Sequence, residues 1–434
     1  MTSLVNRALG RMFPEHFGSG VKHNHYRDFG YPETLQFEDF KRMYDRNGFG
    51  TAAVDRTVLK CWEEVPQLWL TADGGESDVE NAILEHFQRI RVWQKLATAD
   101  ARSLVGGYAG LVLRVTDGKA MDEPVESVSG GLVGLVEVIP AWASQLTVVE
   151  WVEDQSSDDY GKPAMFQFAE VSNHNKSSIA RNIRVHPDRV IVWSDDGTLD
   201  CESILKSGFN NLIDLEKISG AGGEGFWKNA KSAPVLEVDK DADFKKMASS
   251  MGVKPEEIKE KMSDQVENYQ RGLDNILMLQ GISAKPLPIT LSSPQHFFLT
   301  SLQMFSASVC IPMKIVAGNQ NGERASTEDS TEWAKTCKSR RSMVIMPLIR
   351  EFISRMVRFG ILTDQKWHVE WSDLTDSSTE QKMKTAATMS DINHKASSTG
   401  EIVFLSSEIR VASGHKAEAD GSLDIEEEDD DDAE

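Results

Sequence analysis

The sequence predicts an α+β fold, and three patterns in the 434-residue chain predict it. Apolar residues at 343, 344, 346, 348, 349, 352, 353, 356, 357 and 359 recur at three- and four-residue steps, marking one long helix over 326–360. A helix of that span is a rod of roughly 50 Å, well beyond the common helix length. Between 103 and 193, β-branched and aromatic runs alternate with Asp, Ser and Gly clusters, the signature of a mostly antiparallel sheet. Ahead of them, helical periodicity dominates from 36 to 101.

The first helical stretch carries Phe37, Phe40, Met43 and Tyr44, then Ala53, Val54, Val58 and Leu59, and reads as two helices joined at RNGFG. Gly48 and Gly50 are the expected break. Residues 78–101 read as a third helix, with Val79, Ile83, Phe87, Ile90, Val92, Trp93 and Leu96 on or near one face. The run SLVGGYAGLVLRV then reads as a strand with glycine kinks, followed by strands at 133–139, 146–152, 165–168 and 185–193.

A helix over 203–218 is expected to give way to GAGGEG and then to the strand-like APVLEV. Gly220, Gly222, Gly223 and Gly225 suggest a phosphate cradle, but such a loop follows a strand and opens a helix with Lys-Ser/Thr. The order here is reversed, so a flexible loop is expected. Residues 254–272 form a polar helix pattern, with Pro255 in its first turn and acids beside it. Few apolar groups mark any face, so that helix needs neighbours, within the chain or in other copies. The short strand ILMLQG, the proline-punctuated KPLPITLSSPQ and a helix over 296–310 follow. The polar loop within IPMKIVAGNQNGERAST then launches the long helix, which Pro347 must kink or break.

Composition narrows the function classes. The chain is 40% hydrophobic, enough for two or three layers or domains, and no apolar run approaches bilayer length. The start, MTSLVNRALGRMF, is basic and mildly amphipathic without a continuous apolar core, and no export signal is read there. Cys61, Cys201, Cys310 and Cys337 have neither zinc spacing nor a disulfide framework, so buried thiols in a reducing compartment are expected. Of the ten tryptophans, Trp62, Trp69, Trp93, Trp142 and Trp193 fall in strongly patterned elements and are expected in the core, Trp227 at an interface. Net charge is −21, from 68 acids and 47 bases, which repels nucleic acid at long range. The tail DIEEEDDDDAE is acidic at all but two positions and is expected to be disordered.

Four segments carry a resemblance. They are RDFGYPETLQFEDFKRMYDRNGFGTAAVDRTVLKCWEEVP, with Tyr44, Arg46, Asn47, Trp62 and Pro66; IRVHPDRVIVW, with His186, Pro187, Arg189 and Val190; ESILKSGFNNLIDLEKISGAG; and FSASVCIPMKIVAGNQNGERASTED. Over about 27–371 the chain thereby resembles portal proteins of tailed double-stranded-DNA bacteriophages, particularly the branch that also carries an anti-CBASS N-terminal label. Asp188 stands where the family's His-Pro-Ser-Arg-Val strand has serine.

The resemblance implies a portal-type fold with an α/β wing, a helical stem, a small clip, a long kinked helix with a tunnel loop, and a helical crown. Here the wing would take residues 1–245 with 331–374, the stem 246–272 and 298–311, the clip 273–297, the tunnel loop 312–330 and the crown 375–423. The acidic tail at 424–434 matches no family pattern. Copies would close into a homo-oligomeric ring, commonly of twelve, at one capsid vertex of the virion, after assembly in the host cytoplasm. Implied partners are double-stranded DNA without sequence preference, the large terminase, a head-completion, neck or adaptor protein, and the major capsid or scaffold protein. No membrane, cofactor or metal is implied.

A conduit cannot hold phosphates tightly, since each neutralised phosphate deepens a trap. A few cations still suit a channel: Lys259, Lys261 and Arg271 on the first stem helix, with Arg324 in the loop. A solvated face with local pairs such as Glu257–Lys261 accounts equally for the stem residues. Asn319, Gln320, Asn321 and Ser326 would meet DNA through neutral, sequence-blind hydrogen bonds.

No catalytic residues are assigned, and ATP hydrolysis would belong to a partner. The chain lacks a Gly-x-Ser-x-Gly turn, a phosphate-loop lysine and the paired His-x-Thr/Ser motifs of phosphodiesterase-bearing relatives. Two alternatives remain: an acidic nucleic-acid-mimicking chaperone built on the tail from Asp424, and a metal-dependent nuclease using His23 or His25 with Asp154, Asp158 and Asp159.

Overall fold

The computed structural model describes residues 25–70, 77–170, 181–230, 234–238, 282–286, 293–318, 323–375, 379–397 and 402–415, with residues 249, 252, 254, 257, 264 and 400 singly. It opens with α1 (His25–Phe29), α2 (Phe37–Arg46) and α3 (Gly48–Cys61). The break between α2 and α3 is Asn47, not the glycines. Asn47 Oδ1 accepts from Phe49 N at 3.0 Å and Gly50 N at 3.2 Å, capping α3, while Nδ2 donates to Glu216 Oε1 at 2.9 Å. Gly50 lies inside α3 because a Cβ there would stand 2.8 Å from the Met43 carbonyl oxygen.

The third expected helix is two, α4 (Asp78–Arg89) and α5 (Val92–Gly106), separated by Arg91 at φ 56°. Ser77 and Glu80 close a reciprocal capping box at the start of α4, with Ser77 N donating to Glu80 Oε2 at 2.8 Å and Glu80 N to Ser77 Oγ at 3.3 Å. The turn at Arg91 brings Phe87 and Trp93 edge to face, ring centroids 5.7 Å apart, both buried. Burying one broad face against a layered core outweighs the continuity of helical periodicity at this point.

Among the described residues all strand pairs are antiparallel, as expected, but they form separate small sheets. One pairs β2 (Tyr108–Val115) centrally with β3 (Leu135–Trp142) and β7 (Val190–Ser194). A second runs β4 (Leu146–Trp151), β5 (Pro163–Glu170), β6 (Arg181–Val185). The expected strand at 185–193 is thus split by a 3₁₀ turn, Pro187–Arg189, and its halves serve different sheets. Both faces of β2 are buried: Ala109, Leu111 and Leu113 join the main core with α5, whereas Val112 joins Phe166, Phe168 and Val185 of the second sheet. Gly110 permits this stacking, since a Cβ there would stand 2.2 Å from Leu146 Cδ2.

The GAGGEG segment is helical. α6 (Phe209–Ala230) runs through all four glycines, which correct the expected loop; packing of its N-terminal half, with Phe209, Leu212 and Leu215 buried, overrides glycine's poor propensity. β8 (Pro234–Val238) forms as expected and pairs with β9 (Ile282–Pro286), beyond the expected ILMLQG strand, which lies outside the described residues. The polar helix expected at 254–272 also lies outside them. α7 (Gln295–Ser308) packs along α6.

After the short α8 (Met313–Ala317) comes the long rod: α9 (Glu323–Arg340), a π-helical turn at Arg341–Ile345, and α10 (Met346–Arg358). Pro347 lacks the N–H that would continue the α-helical ladder, and the widened turn just before it absorbs the deficit without breaking the rod. Ile345, Leu348, Ile349, Phe352, Ile353, Met356 and Phe359 are buried, but Met343, expected on the stripe, is 73% exposed. β10 (His368–Glu370) returns to pair with β1 (Gln67–Trp69), and α11 (Thr379–Ala396) and α12 (Ser406–Ala412) follow. Trp93 and Trp193 are buried, while Trp62, Trp69 and Trp142 are half-buried; the side chain of Trp227 lies outside the described residues. Cys61 and Cys337 are buried as expected, but Cys201 is half-buried and Cys310 exposed.

Candidate channel loop and its anchorage

The loop singled out by the sequence is held between two fixed ends. α7 terminates with Ile311 N donating to Ser306 O at 3.1 Å and with Cys310 in the left-handed region, φ 56°. This geometry turns the Cys310 side chain to solvent and drops Ile311 into the core, 2% exposed. Pro312 then starts α8, its carbonyl accepting from Ile315 N at 2.9 Å and Val316 N at 3.1 Å. Val316 is buried, and Gly318 ends α8 at φ 73°, with Arg56 Nη2 only 3.1 Å from where a Cβ would sit. Across the base of the loop, Lys314 Nζ and Asp329 Oδ2 lie 3.9 Å apart, joining α8 to α9.

Of the candidate loop residues, Asn319, Gln320 and Asn321 lie outside the described residues. Arg324 and Ser326 are on the opening turns of α9, which starts at Glu323; the rod begins earlier than expected, and these two stand on helix, not in loop. Lys259, Lys261 and Arg271 lie outside the described residues. Of the residues in the nuclease alternative, His23 lies outside them, and Asp154 accepts from Ser156 N at 2.9 Å and Ser156 Oγ at 2.7 Å. Asp159 pairs with Lys162 Nζ at 2.7 Å, so both carboxylates serve the turn between β4 and β5. Among the described residues no three His, Cys, Asp or Glu side chains converge as a metal site.

What positions the rod is a polar cluster the sequence reading missed. Asp100 on α5 has no exposed surface, and its carboxylate accepts from Trp62 Nε1 at 3.0 Å, Trp193 Nε1 at 3.2 Å, and Arg340 Nη1 and Nη2 at 3.0 and 2.7 Å. Burial opposes the charge on Arg340, but the Asp100 carboxylate overrides it and holds the guanidinium pKa above its ordinary value. Next to it, Arg341 donates from Nε to the Cys61 carbonyl at 2.5 Å and from Nη1 to the Ser372 carbonyl at 2.8 Å, and stacks 4.3 Å from the Trp371 ring centroid. Burial pulls the Arg341 pKa down, and its Nη2 has no hydrogen-bond partner. An aspartate inside LATADARSL and a paired arginine within an apolar stripe were the available signals.

The His-Pro-Asp-Arg-Val segment secures the other half of the rod. Arg355 Nη1 on α10 donates to the carbonyls of Pro187, Asp188 and Val190 at 2.7, 2.8 and 2.7 Å. Arg189, 1% exposed, reaches Asp117 Oδ2 at 2.6 Å and the Ala120 carbonyl at 3.1 Å. Asp188, in the place of the family's serine, pairs with Arg358 and accepts from Val125 N at 3.3 Å. The motif is therefore a bracket on which α10 sits.

A search of curated proteins returns no match. Among solved structures, a chain of the virion of a native gene transfer agent (GTA) particle is 16% identical, with TM-score 0.47, over 95% of this chain and 99% of that one. A chain from the neck of an empty GTA particle computed with C6 symmetry is 14% identical, TM-score 0.48, over 88% and 94%. One from the neck of a native GTA particle computed with C12 symmetry is 15% identical, TM-score 0.45, over 94% and 99%. The profile of the family described as "Phage portal protein" matches residues 39–395, from within α2 to the end of α11 and across the loop, the rod and both of its anchorages, and the chain belongs to that family.

Proposed function

We propose that copies of this chain close into a ring, commonly of twelve in the family, whose bore passes double-stranded DNA at one capsid vertex during packaging and ejection. The single observation that carries the reading is the family match spanning the polar loop and the rod that bears it. The Lys314–Asp329 pair joins the helices on either side of the loop, and the sequence between them, Asn319, Gln320 and Asn321, is neutral amides. Such a stretch meets phosphates weakly and without regard to sequence, as a sliding contact requires.

In this reading residues 1–245 with 331–374 are the wing, 246–272 and 298–311 the stem, 273–297 the clip, 312–330 the tunnel loop and 375–423 the crown. Lys259, Lys261, Arg271 and Arg324 supply the bore's few cations. The clip docks the large terminase and later a neck or adaptor protein, the wing faces capsid or scaffold, and the chain itself catalyses nothing. Leu59 and Met343, 70% and 73% exposed on α3 and the π turn, with Phe226 and Phe297, 73% and 66% exposed on α6 and α7, are apolar surfaces suited to contacts between copies. No helix among the described residues is long and apolar enough to cross a membrane.

Electron microscopy of the purified full chain tests the reading. Annular particles with an axial hole are the expected result, and a variant in which 319–322 is replaced by Gly-Ser should form the same rings but fail to retain packaged DNA. Persistent monomers, or metal-dependent DNA cleavage abolished by His23→Ala, would overturn it.

A further inference from the structure

Cys61, the last residue of α3, and Cys337, near the end of α9, are 276 positions apart in sequence and in contact in the core. Both are buried, 0% and 1% exposed. The Cys61 thiol donates to the Cys337 carbonyl at 3.8 Å, and the two side chains interact. Charges of both signs surround them: Arg340 favours and Asp100 opposes the Cys61 thiolate, Lys60 and Arg340 favour that of Cys337, and Arg341 Nε holds the Cys61 carbonyl at 2.5 Å. The interaction with Cys337 holds the Cys61 pKa down against burial, with the Arg340 charge adding to it and the Asp100 charge opposing it, while the same interaction together with burial pushes Cys337 up. Cys61 is thus the thiol that ionises first, with its resolving partner already beside it. The two remaining thiols have other company: Cys201 lies against Asp196 Oδ1 at 2.8 Å, and Cys310 points to solvent.

We propose that Cys61 and Cys337 are a redox pair that closes an intramolecular disulfide, with a low-molecular-weight disulfide as oxidant. The Cys61 thiolate attacks one sulfur of the oxidant, forming a mixed disulfide and expelling one small thiolate. Cys337, on losing its proton, attacks the Cys61 sulfur, forms the Cys61–Cys337 bond and expels the second. Two cysteine thiols and one small disulfide become one protein disulfide and two small thiols, so two electrons leave the protein and the protons end on the released thiols. The product would staple the C-terminal end of α3 to the rod and close a very long loop, constraining the unfolded chain strongly. A reducing cytoplasm keeps such a pair open, and an oxidising exterior closes it. The proposal does not depend on ring formation.

The test uses the full chain carrying Cys201→Ser and Cys310→Ser, equilibrated with hydroxyethyl disulfide and its thiol. Expected are an intact mass lighter by two hydrogens, a non-reduced peptide map joining the Cys61 and Cys337 peptides, and an upward shift of the thermal midpoint that dithiothreitol reverses. Adding Cys337→Ser should stop the reaction at a mixed disulfide on Cys61, without the upward shift. In a second arm the same chain is refolded from denaturant in the same redox buffer, which removes burial as a barrier. A folded product that by both routes remains a dithiol, or carries separate adducts on the two cysteines, overturns the proposal.

Discussion

The carboxylate of Asp100 and the guanidinium of Arg340 meet through two parallel hydrogen bonds, Nη1 to Oδ2 at 3.0 Å and Nη2 to Oδ1 at 2.7 Å, at a carboxylate with no exposed surface. Two indole N–H groups complete its shell, so the rod, α3, α5 and β7 share one polar centre inside an apolar core. A buried charge with this many donors is stable only while all of them are present.

Removing Arg340, whose side chain is mostly buried, should therefore cost more than losing an exposed ion pair. Arg340→Met leaves the buried Asp100 carboxyl short of two donors, and is expected to lower unfolding stability by about 3–5 kcal/mol. Asp100→Leu combined with Arg340→Met should recover only part of that, because the Trp62 and Trp193 indoles then lose their acceptor at ~1–3 kcal/mol each. Urea unfolding of the singles and the double measures both.

Cys310 is a non-glycine residue in the left-handed region at the end of α7. Cys310→Gly should relieve that conformation and raise stability by about 1 kcal/mol, provided the bond from Ile311 N to Ser306 O persists. A denaturation midpoint that moves down instead would show that the αL residue is not strained.

Because residues 220–225 are helical, glycine there is a burden, not a requirement. Neither Gly220 nor Gly223 has an atom within 4 Å of a built Cβ. Gly220→Ala and Gly223→Ala are each expected to stabilise by ~0.8–1 kcal/mol and to increase helical circular dichroism. A loop would gain nothing. Gly50→Ala is the opposing control, since its Cβ meets the Met43 carbonyl oxygen at 2.8 Å and should destabilise by about 1–3 kcal/mol.

His86 gives the fold a dependence on pH. It is 6% exposed, its Nε2 donates to the Leu135 carbonyl at 3.1 Å, and its Nδ1 accepts from Arg89 Nη2 at 2.8 Å. Burial pulls its pKa below the ordinary 6.5, and the neighbouring Arg89 charge acts the same way. The unfolded chain then binds the proton more readily than the folded one, so stability is full above 6.5 and falls as pH drops below it toward the folded value. His186, lowered chiefly by burial, contributes with the same sign. Thermal midpoints of wild type should fall from pH 7 to pH 5.5, and His86→Gln should flatten that slope.

The sequence was most legible where a single force decided the outcome. Antiparallel pairing, the two helices joined at RNGFG and the long rod follow from periodicity and polar punctuation. Glycine misled twice, because its meaning depends on neighbours absent from the local string: Gly50 admits a carbonyl from the preceding helix, and the glycines of α6 are carried by packing elsewhere along that helix. The split of 78–101 at Arg91 was hidden since Phe87 and Trp93 satisfy one helical face as well as they satisfy a corner. Within GNQNGERAS, the segment from Glu323 onward is helix, so the rod starts earlier than the polar composition of the string suggested. Asp100, Arg340 and Arg355 are ordinary charged letters in the string, and only the folded chain brings their partners together.

The π turn at Arg341–Ile345 has a geometric consequence for everything N-terminal to it along the rod. One residue of α-helix is about 100° of rotation, so deleting a single residue within that turn would spin α9 by about that angle relative to α10. The first turn of α9 at Glu323, at the far end of its 18 residues and roughly 27 Å away along the axis, would be swung to a new azimuth with its own sequence untouched. The bearing of the rod's N-terminal end is thus dialled at a wide coil wedged against a proline.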